Sequence, residues 1–153
     1  LNEVRIATPL DEKAVMDLCV MLHEENGQHP LNIEKVRYVI RRCLAGQMGI
    51  IGVVGNQNDL RGAICILIDP VWYSDDLQLL ELFNFCHPDH RRPSCAKPLI
   101  EFAKKCADET GLDLTIGVLS NIRMEAKVKL YGRMLPKAGE FFVYSPQLNR
   151  AAA

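Results

Sequence analysis

The densest chemistry in this sequence lies in one stretch, Phe85-Cys86-His87-Pro88-Asp89-His90-Arg91-Arg92-Pro93-Ser94-Cys95-Ala96-Lys97. It follows a strand pattern and precedes a helical one. A helix start attracts anions, because free backbone N–H groups and the positive end of the helix dipole point there. Arg91, Arg92 and Lys97 add mobile cations, and the small side chains of Ser94 and Ala96 leave the backbone open to close approach. The expected ligand is a phosphate or pyrophosphate. The other reading of the same charges is a basic surface turn without a ligand.

The same stretch holds residue types suited to two further chemistries. Cys86, His87, His90 and Cys95 are zinc-ligand types. Adjacent Cys86 and His87 on a strand point to opposite faces, however, and their spacing matches no zinc pattern, so no metal is expected. Cys95 beside a cationic helix start has the setting of a low-pKa thiol, but no Asn or Asp stands by to orient a Cys–His pair. Upstream, period-two alternation puts Leu77, Leu79, Glu81, Phe83 and Phe85 on one strand face. Glu81 is then a carboxylate among apolar neighbours, where desolvation lifts its pKa toward a value useful to a general base. A single β-bulge would move it to the other face. Asn84 and His87 are the alternatives for placing a water or an amine.

The elements that must hold these residues follow from periodicity. Val4 to Ala7 reads as a short strand. Thr8-Pro9 opens a helix, and Ala14, Val15, Leu18, Cys19, Met21 and Leu22 give Asp11 to Glu25 one apolar stripe. Asn32 caps a second helix, striped by Val36, Val39, Ile40, Cys43 and Leu44, and Gly46 ends it. Met48 to Val54 and Leu60 to Ile68 form a hairpin around Gly55 to Asp59, and Leu77 to Cys86 is the next strand. Leu99, Ile100, Ala103, Cys106 and Ala107 stripe a third helix that Gly111 caps. Leu112 to Val118 alternates as a strand, Arg123 to Met134 is a last helix, and Glu140 to Tyr144 a final strand. The unit from Leu77 to Val118 is strand, helix, strand, which implies a parallel pair with a right-handed crossover. The earlier strands have short turns and should be antiparallel. A mixed α/β sheet with helices on both faces results.

The whole is 153 residues and 17.2 kDa, one compact domain over 1–150. Arg150-Ala151-Ala152-Ala153 reads as an appended tail at 151–153 and is set aside. With 18 Lys and Arg against 19 Asp and Glu there is no basic footprint for nucleic acid. No apolar run is long enough to suggest a membrane span. The 6 cysteines fall mostly at apolar-periodic positions and make no C-x-x-C pair, which fits reduced thiols and a cytoplasmic setting.

The order β-α-α-β-β-β-α-β-α-β, with Arg91-x-x-Ser94-x-Ala96 between the fourth strand and the third helix and Leu130-Tyr131 on the last helix, resembles the GNAT superfamily of N-acetyltransferases over Val4 to Tyr144. That family writes its acetyl-CoA loop Q/R-x-x-G-x-G/A, often after Val-x-Pro; here Cys86-His87-Pro88 precedes it. The resemblance implies an enzyme that moves the acetyl group of acetyl-CoA, as co-substrate, to a primary amine by direct attack. It implies that Phe85, Cys86, His87, Arg91, Arg92, Ser94, Cys95, Ala96, Lys97 and Asn121 hold the cofactor. The pantetheine arm would lie between the two splayed parallel strands. Tyr131 would protonate the departing thiolate, with Glu81 as base on a strand that the family often bulges. The acceptor, a small-molecule or peptide amine, would meet Glu24, Glu25, Asn26 and His29 on one side and Trp72, Tyr73, Asp75 and Asp76 on the other, where acidic and aromatic groups suit a cation. A homodimer through late strands, with Phe141, Phe142, Val143 and Tyr144, is implied as well. Three residues depart from the pattern. Ser94 stands where glycine is usual, so a left-handed backbone there would be strained. Pro93 and Pro98 lack an N–H. These departures keep open a second class: a CoA-binding module of the same fold without turnover.

Overall fold

The computed structural model describes residues 3–146; the tail at 151–153 lies outside the described residues. The elements run β1 (Val4–Ile6), α1 (Glu12–Asn26), α2 (Ile33–Leu44), β2 (Gly49–Asn56), β3 (Asp59–Pro70), β4 (Leu77–Cys86), α3 (Pro93–Thr110), β5 (Leu114–Thr115) and α4 (Met124–Met134). Single-turn 3-10 helices at Pro9–Asp11 and Pro88–His90 precede α1 and α3. The five strands form one sheet in the order β1-β2-β3-β4-β5. The first three pairings are antiparallel and β4–β5 is parallel, as the connection lengths require.

Helices cover both faces. Val15 and Leu18 of α1 with Ile40 and Leu44 of α2 pack on Ile51, Val53, Ala63, Cys65, Phe83 and Phe85. Leu99, Ala103 and Cys106 of α3 pack on Val54, Ile64, Ile66 and Leu79 from the other side. Successive residues of β2 and β3 enter opposite clusters, which is why both strands read as continuous apolar runs. Gly62 sets the height of α3: a Cβ there would stand 2.8 Å from the Cys95 sulfur and 3.0 Å from the Phe85 carbonyl oxygen. The first turn of α3 therefore rests directly on β3, beside the end of β4.

The β3–β4 register slips once. Cys65 faces Phe83 and Ile66 faces Glu81, so Leu82 is the extra residue of a bulge. Leu79 accordingly belongs to the α3 cluster and Phe83 and Phe85 to the α1–α2 cluster. The single face expected from Leu77 to Phe85 is split, and Glu81 shares its side of the sheet with Leu79.

Three other expectations are corrected. The strand expected over Leu112 to Val118 is confined to Leu114–Thr115. Residues 140–144 form no strand, and Phe141, Phe142, Val143 and Tyr144 are exposed. These side chains favour β structure, but a strand also needs a partner edge, and none meets them among the described residues. Ser94 is not left-handed; it is helical, because Pro93 already starts α3.

One buried charge braces the first crossover. Asp11 is 1% exposed, accepts two bonds from Arg5 at 2.7 and 2.9 Å and one from the Thr8 N–H at 2.8 Å. The Arg5 guanidinium holds the Asp11 carboxyl below the usual range. Such stability is present above the carboxyl's unfolded pKa and is lost as pH falls through the lower folded one. Asp11→Ala should therefore cost about 2–3 kcal/mol near neutrality. In urea titrations its deficit against wild type should shrink steadily below about pH 4; a gap that ignores pH would refute this account.

Candidate functional site

β4 and β5 pair only at Leu79–Leu114 and Leu80–Thr115. Beyond Leu80 the β5 side of β4 has no strand beside it among the described residues. The ladder is broken there, and this gap in the pairing is flanked by β4, the segment after β5, and α4. Three half-buried β4 residues border it: Glu81, Asn84 and Cys86.

Glu81 Oε2 reaches across the gap and accepts the Gly117 N–H at 3.2 Å. Burial pushes its carboxyl up to about 7, against the opposing pull of that bond. Asn84 Nδ2 donates to the Tyr131 phenol oxygen at 2.8 Å. With that lone pair taken, the phenol's own hydrogen is available to another acceptor. Burial, reinforced by Glu81 nearby, raises the Tyr131 pKa, so the phenol keeps its proton throughout the neutral range. A carboxyl that titrates near neutrality and a protonated phenol thus stand on opposite sides of one gap.

The loop at the end of β4 is built differently from the sequence expectation. Arg91 is half-buried. It pairs with Glu25 at the end of α1, donates Nε to the Cys86 carbonyl at 3.2 Å, and lies over the Phe85 ring at 5.2 Å. Arg91 and Glu25 therefore fasten the loop to α1 and are not free ends. Arg92, Ser94 and Lys97 are exposed. The loop's N–H groups are largely used within it: His90 on His87, Arg92 on His90, and Cys95 and Ala96 both on the Arg92 carbonyl. Pro93 has none. The His87 ring accepts the Asp89 N–H at 3.2 Å, and the His87 backbone N–H donates to the Arg61 carbonyl at 2.7 Å. Cys95 is buried, 3.4 Å from the Arg61 carbonyl, and Ala96 is half-buried on the first turn of α3. The cationic and donor groups of the loop not taken up in this way are Arg92 and Lys97, both exposed, and the Ser94 N–H at the start of α3.

The far wall is tied to α1. Asn121 donates its N–H to Asn26 Oδ1 at 2.8 Å and its Nδ2 to the Glu25 carbonyl at 3.3 Å. Lys127, one turn before Tyr131, donates to Ser120 Oγ at 2.7 Å. Sequence reasoning missed Lys127 and Ser120, although the four-residue spacing from Lys127 to Tyr131 put both on one helix face. The segments expected to flank an acceptor do not meet. Glu24 is exposed and Glu25 and Asn26 join the loop, whereas Trp72, Tyr73, Asp75 and Asp76 lie at the start of β4, a strand length away. Trp72 and Tyr73 are exposed, with their rings edge to face at 5.3 Å.

No protein-family model matches the chain, and neither does any curated protein. Solved structures do. A probable acetyltransferase aligns at 19% identity and TM-score 0.68, over 94% of this chain and 95% of its own. Ribosomal-protein-alanine N-acetyltransferase from Brucella melitensis biovar Abortus 2308 aligns at 15% and 0.69, over 94% and 96%. AAC(6')-Iy, solved with a bisubstrate analogue of CoA and acetylneamine, aligns at 15% and 0.69, over 94% and 95%. These structural neighbours are GNAT acetyltransferases, and together with the mixed five-stranded sheet and its four helices they show that this chain has the GNAT fold.

Proposed function

We propose that the protein transfers an acetyl group from acetyl-CoA to a primary amine. The observation that carries this reading is the gap beyond Leu80 and Thr115, with Glu81 on one side and Tyr131 on the other. The unpaired edge of β4 offers backbone groups to an extended arm laid beside it, and Arg92 and Lys97 stand at the end of that edge for phosphates. Acetyl-CoA supplies the activated acyl carbon. Glu81, ionised, accepts a proton from the incoming ammonium, directly or through a water. Tyr131 gives its proton to the departing thiolate, held in place by Asn84. With the β4 end given to the cofactor, the acceptor approaches from the Trp72–Asp76 turn, where two exposed aromatic rings and two carboxylates suit a cationic amine. The exposed run Phe141 to Tyr144 supports a homodimer through that segment.

Thermal denaturation with acetyl-CoA tests the binding half of the proposal. A ligand at about 100 times its Kd should stabilise the wild type by about 2.7 kcal/mol. Arg92→Ala/Lys97→Ala should lose most of that shift and unfold normally without ligand. A wild type indifferent to acetyl-CoA would overturn the reading. A second reading is a CoA-binding module without turnover. It is favoured by one observation, the commitment of Arg91 to Glu25 and of the loop's N–H groups to its own carbonyls.

A further inference from the structure

The inward face of α4 carries a lysine. Lys127, Leu130, Tyr131 and Met134 are half-buried, while Glu125, Lys129 and Arg133 on the other faces are exposed. A lysine turned inward normally meets a carboxylate. Glu25 is the nearby one, and it is paired with Arg91; among the described residues no carboxylate lies within ion-pair distance of Lys127. Its recorded side-chain partner is the Ser120 hydroxyl at 2.7 Å, and Ser120 is itself 7% exposed. Burial lowers the Lys127 pKa and Arg91 adds to that, with Glu25 opposing. Lys127 lies one helical turn from Tyr131, about 5–6 Å between Cβ atoms, and Tyr131 in turn meets Asn84 at the unpaired edge of β4.

An amine with reduced proton affinity, fixed by Ser120 and beside the phenol that would protonate a thiolate, is equipped to be acylated. We propose that Lys127 is a self-acetylation site, modified by acetyl-CoA bound in the gap of its own chain. This rests on the acetyl-CoA reading above. The neutral Nζ attacks the thioester carbonyl carbon, forming the C–N bond, and the C–S bond breaks. The surplus proton on nitrogen passes to Glu81 or solvent, and the sulfur takes the Tyr131 proton, which solvent replaces. The products are Nε-acetyl-Lys127 and the free thiol of CoA, with no change of oxidation state. Proximity replaces an external acceptor, so the reaction is intramolecular within the complex.

The test follows every lysine of the intact protein by peptide mass mapping during incubation with acetyl-CoA, alongside acetyl-CoA thermal shifts. Lys127 should gain one acetyl group at least about tenfold faster than exposed Lys13, Lys104 and Lys105, as proximity predicts. Free CoA should slow Lys127 alone, and acetyl phosphate, which lacks the CoA arm, should show no preference for it. Tyr131→Phe should slow Lys127 acetylation while keeping the thermal shift. A thermal shift without preferential labelling of Lys127, or equal preference with acetyl phosphate, would overturn the self-acetylation and leave the cofactor reading standing. Absence of any thermal shift would overturn both.

Discussion

Tyr131→Phe is expected to lower turnover by about 10²–10³-fold while leaving acetyl-CoA affinity nearly unchanged, since it removes one proton donor and no apolar surface. The phenol oxygen touches Asn84 and the ring keeps its half-buried seat on α4, so packing is conserved. The loss should fall on kcat rather than KM. Acceptors should be screened first for release of the CoA thiol, then the variant compared with wild type by calorimetry. An enzyme loses turnover and keeps binding. A non-catalytic CoA module binds identically in both forms and releases no thiol in either. Equal turnover in both proteins would remove Tyr131 from the chemistry.

Glu81→Gln should lower kcat/KM by about 10²–10³-fold at neutral pH and flatten its pH profile. The sign follows from the raised pKa. A base works when ionised, so wild-type kcat/KM should climb as pH rises and level off above about 7, where burial has pushed this carboxyl. Glutamine has no such ionisation. Stability should run the opposite way. A carboxyl whose folded pKa is raised favours folding while protonated and loses that advantage as pH passes from the ordinary carboxyl range through about 7. Glu81→Gln keeps an acceptor for the Gly117 N–H and should be at least as stable as wild type at pH 8, by up to about 1–3 kcal/mol. Lost activity with undiminished stability separates catalysis from folding. A wild-type profile without a limb near 7 would exclude Glu81 as the base.

Much of this arrangement was legible before any coordinates. The stripe from Ala14 to Leu22 fixed the inner face of α1, and Gly111 closed α3 in the left-handed backbone that only glycine adopts freely. The parallel placing of β4 and β5 followed from an intervening helix. The bulge was not legible as a position: Leu-Gln-Leu-Leu-Glu-Leu-Phe-Asn-Phe-Cys carries apolar residues on both faces, so either phase satisfies it. Whether Glu81 sits with Leu79 or with Phe83 depends on one surplus peptide at Leu82, set by pairing with β3 and not by local preference. Phe141 to Tyr144 failed for the reverse reason, with ample preference and no edge to pair with. The Arg91–Glu25 pair joins residues 66 apart in sequence, and nothing in the spacing of either one announces the other.

The two-residue ladder between β4 and β5 has a consequence for how the molecule breathes. α4 contains no fully buried residue; Tyr131 joins it to Asn84 of β4, and the segment before it is held by Leu114–Thr115, by Gly117 on Glu81 and by Asn121 on α1. The strongly paired ladders β2–β3 and β3–β4 lie entirely on the other side of that seam. Residues from Leu114 to Met134 can therefore part from β4 at a small fraction of the free energy that would unravel the core. A long, thin guest needs no preformed tunnel in such a molecule. The acetyl-CoA proposed above would enter by parting one short seam, and would leave the same way without disturbing the cores on either face of the sheet.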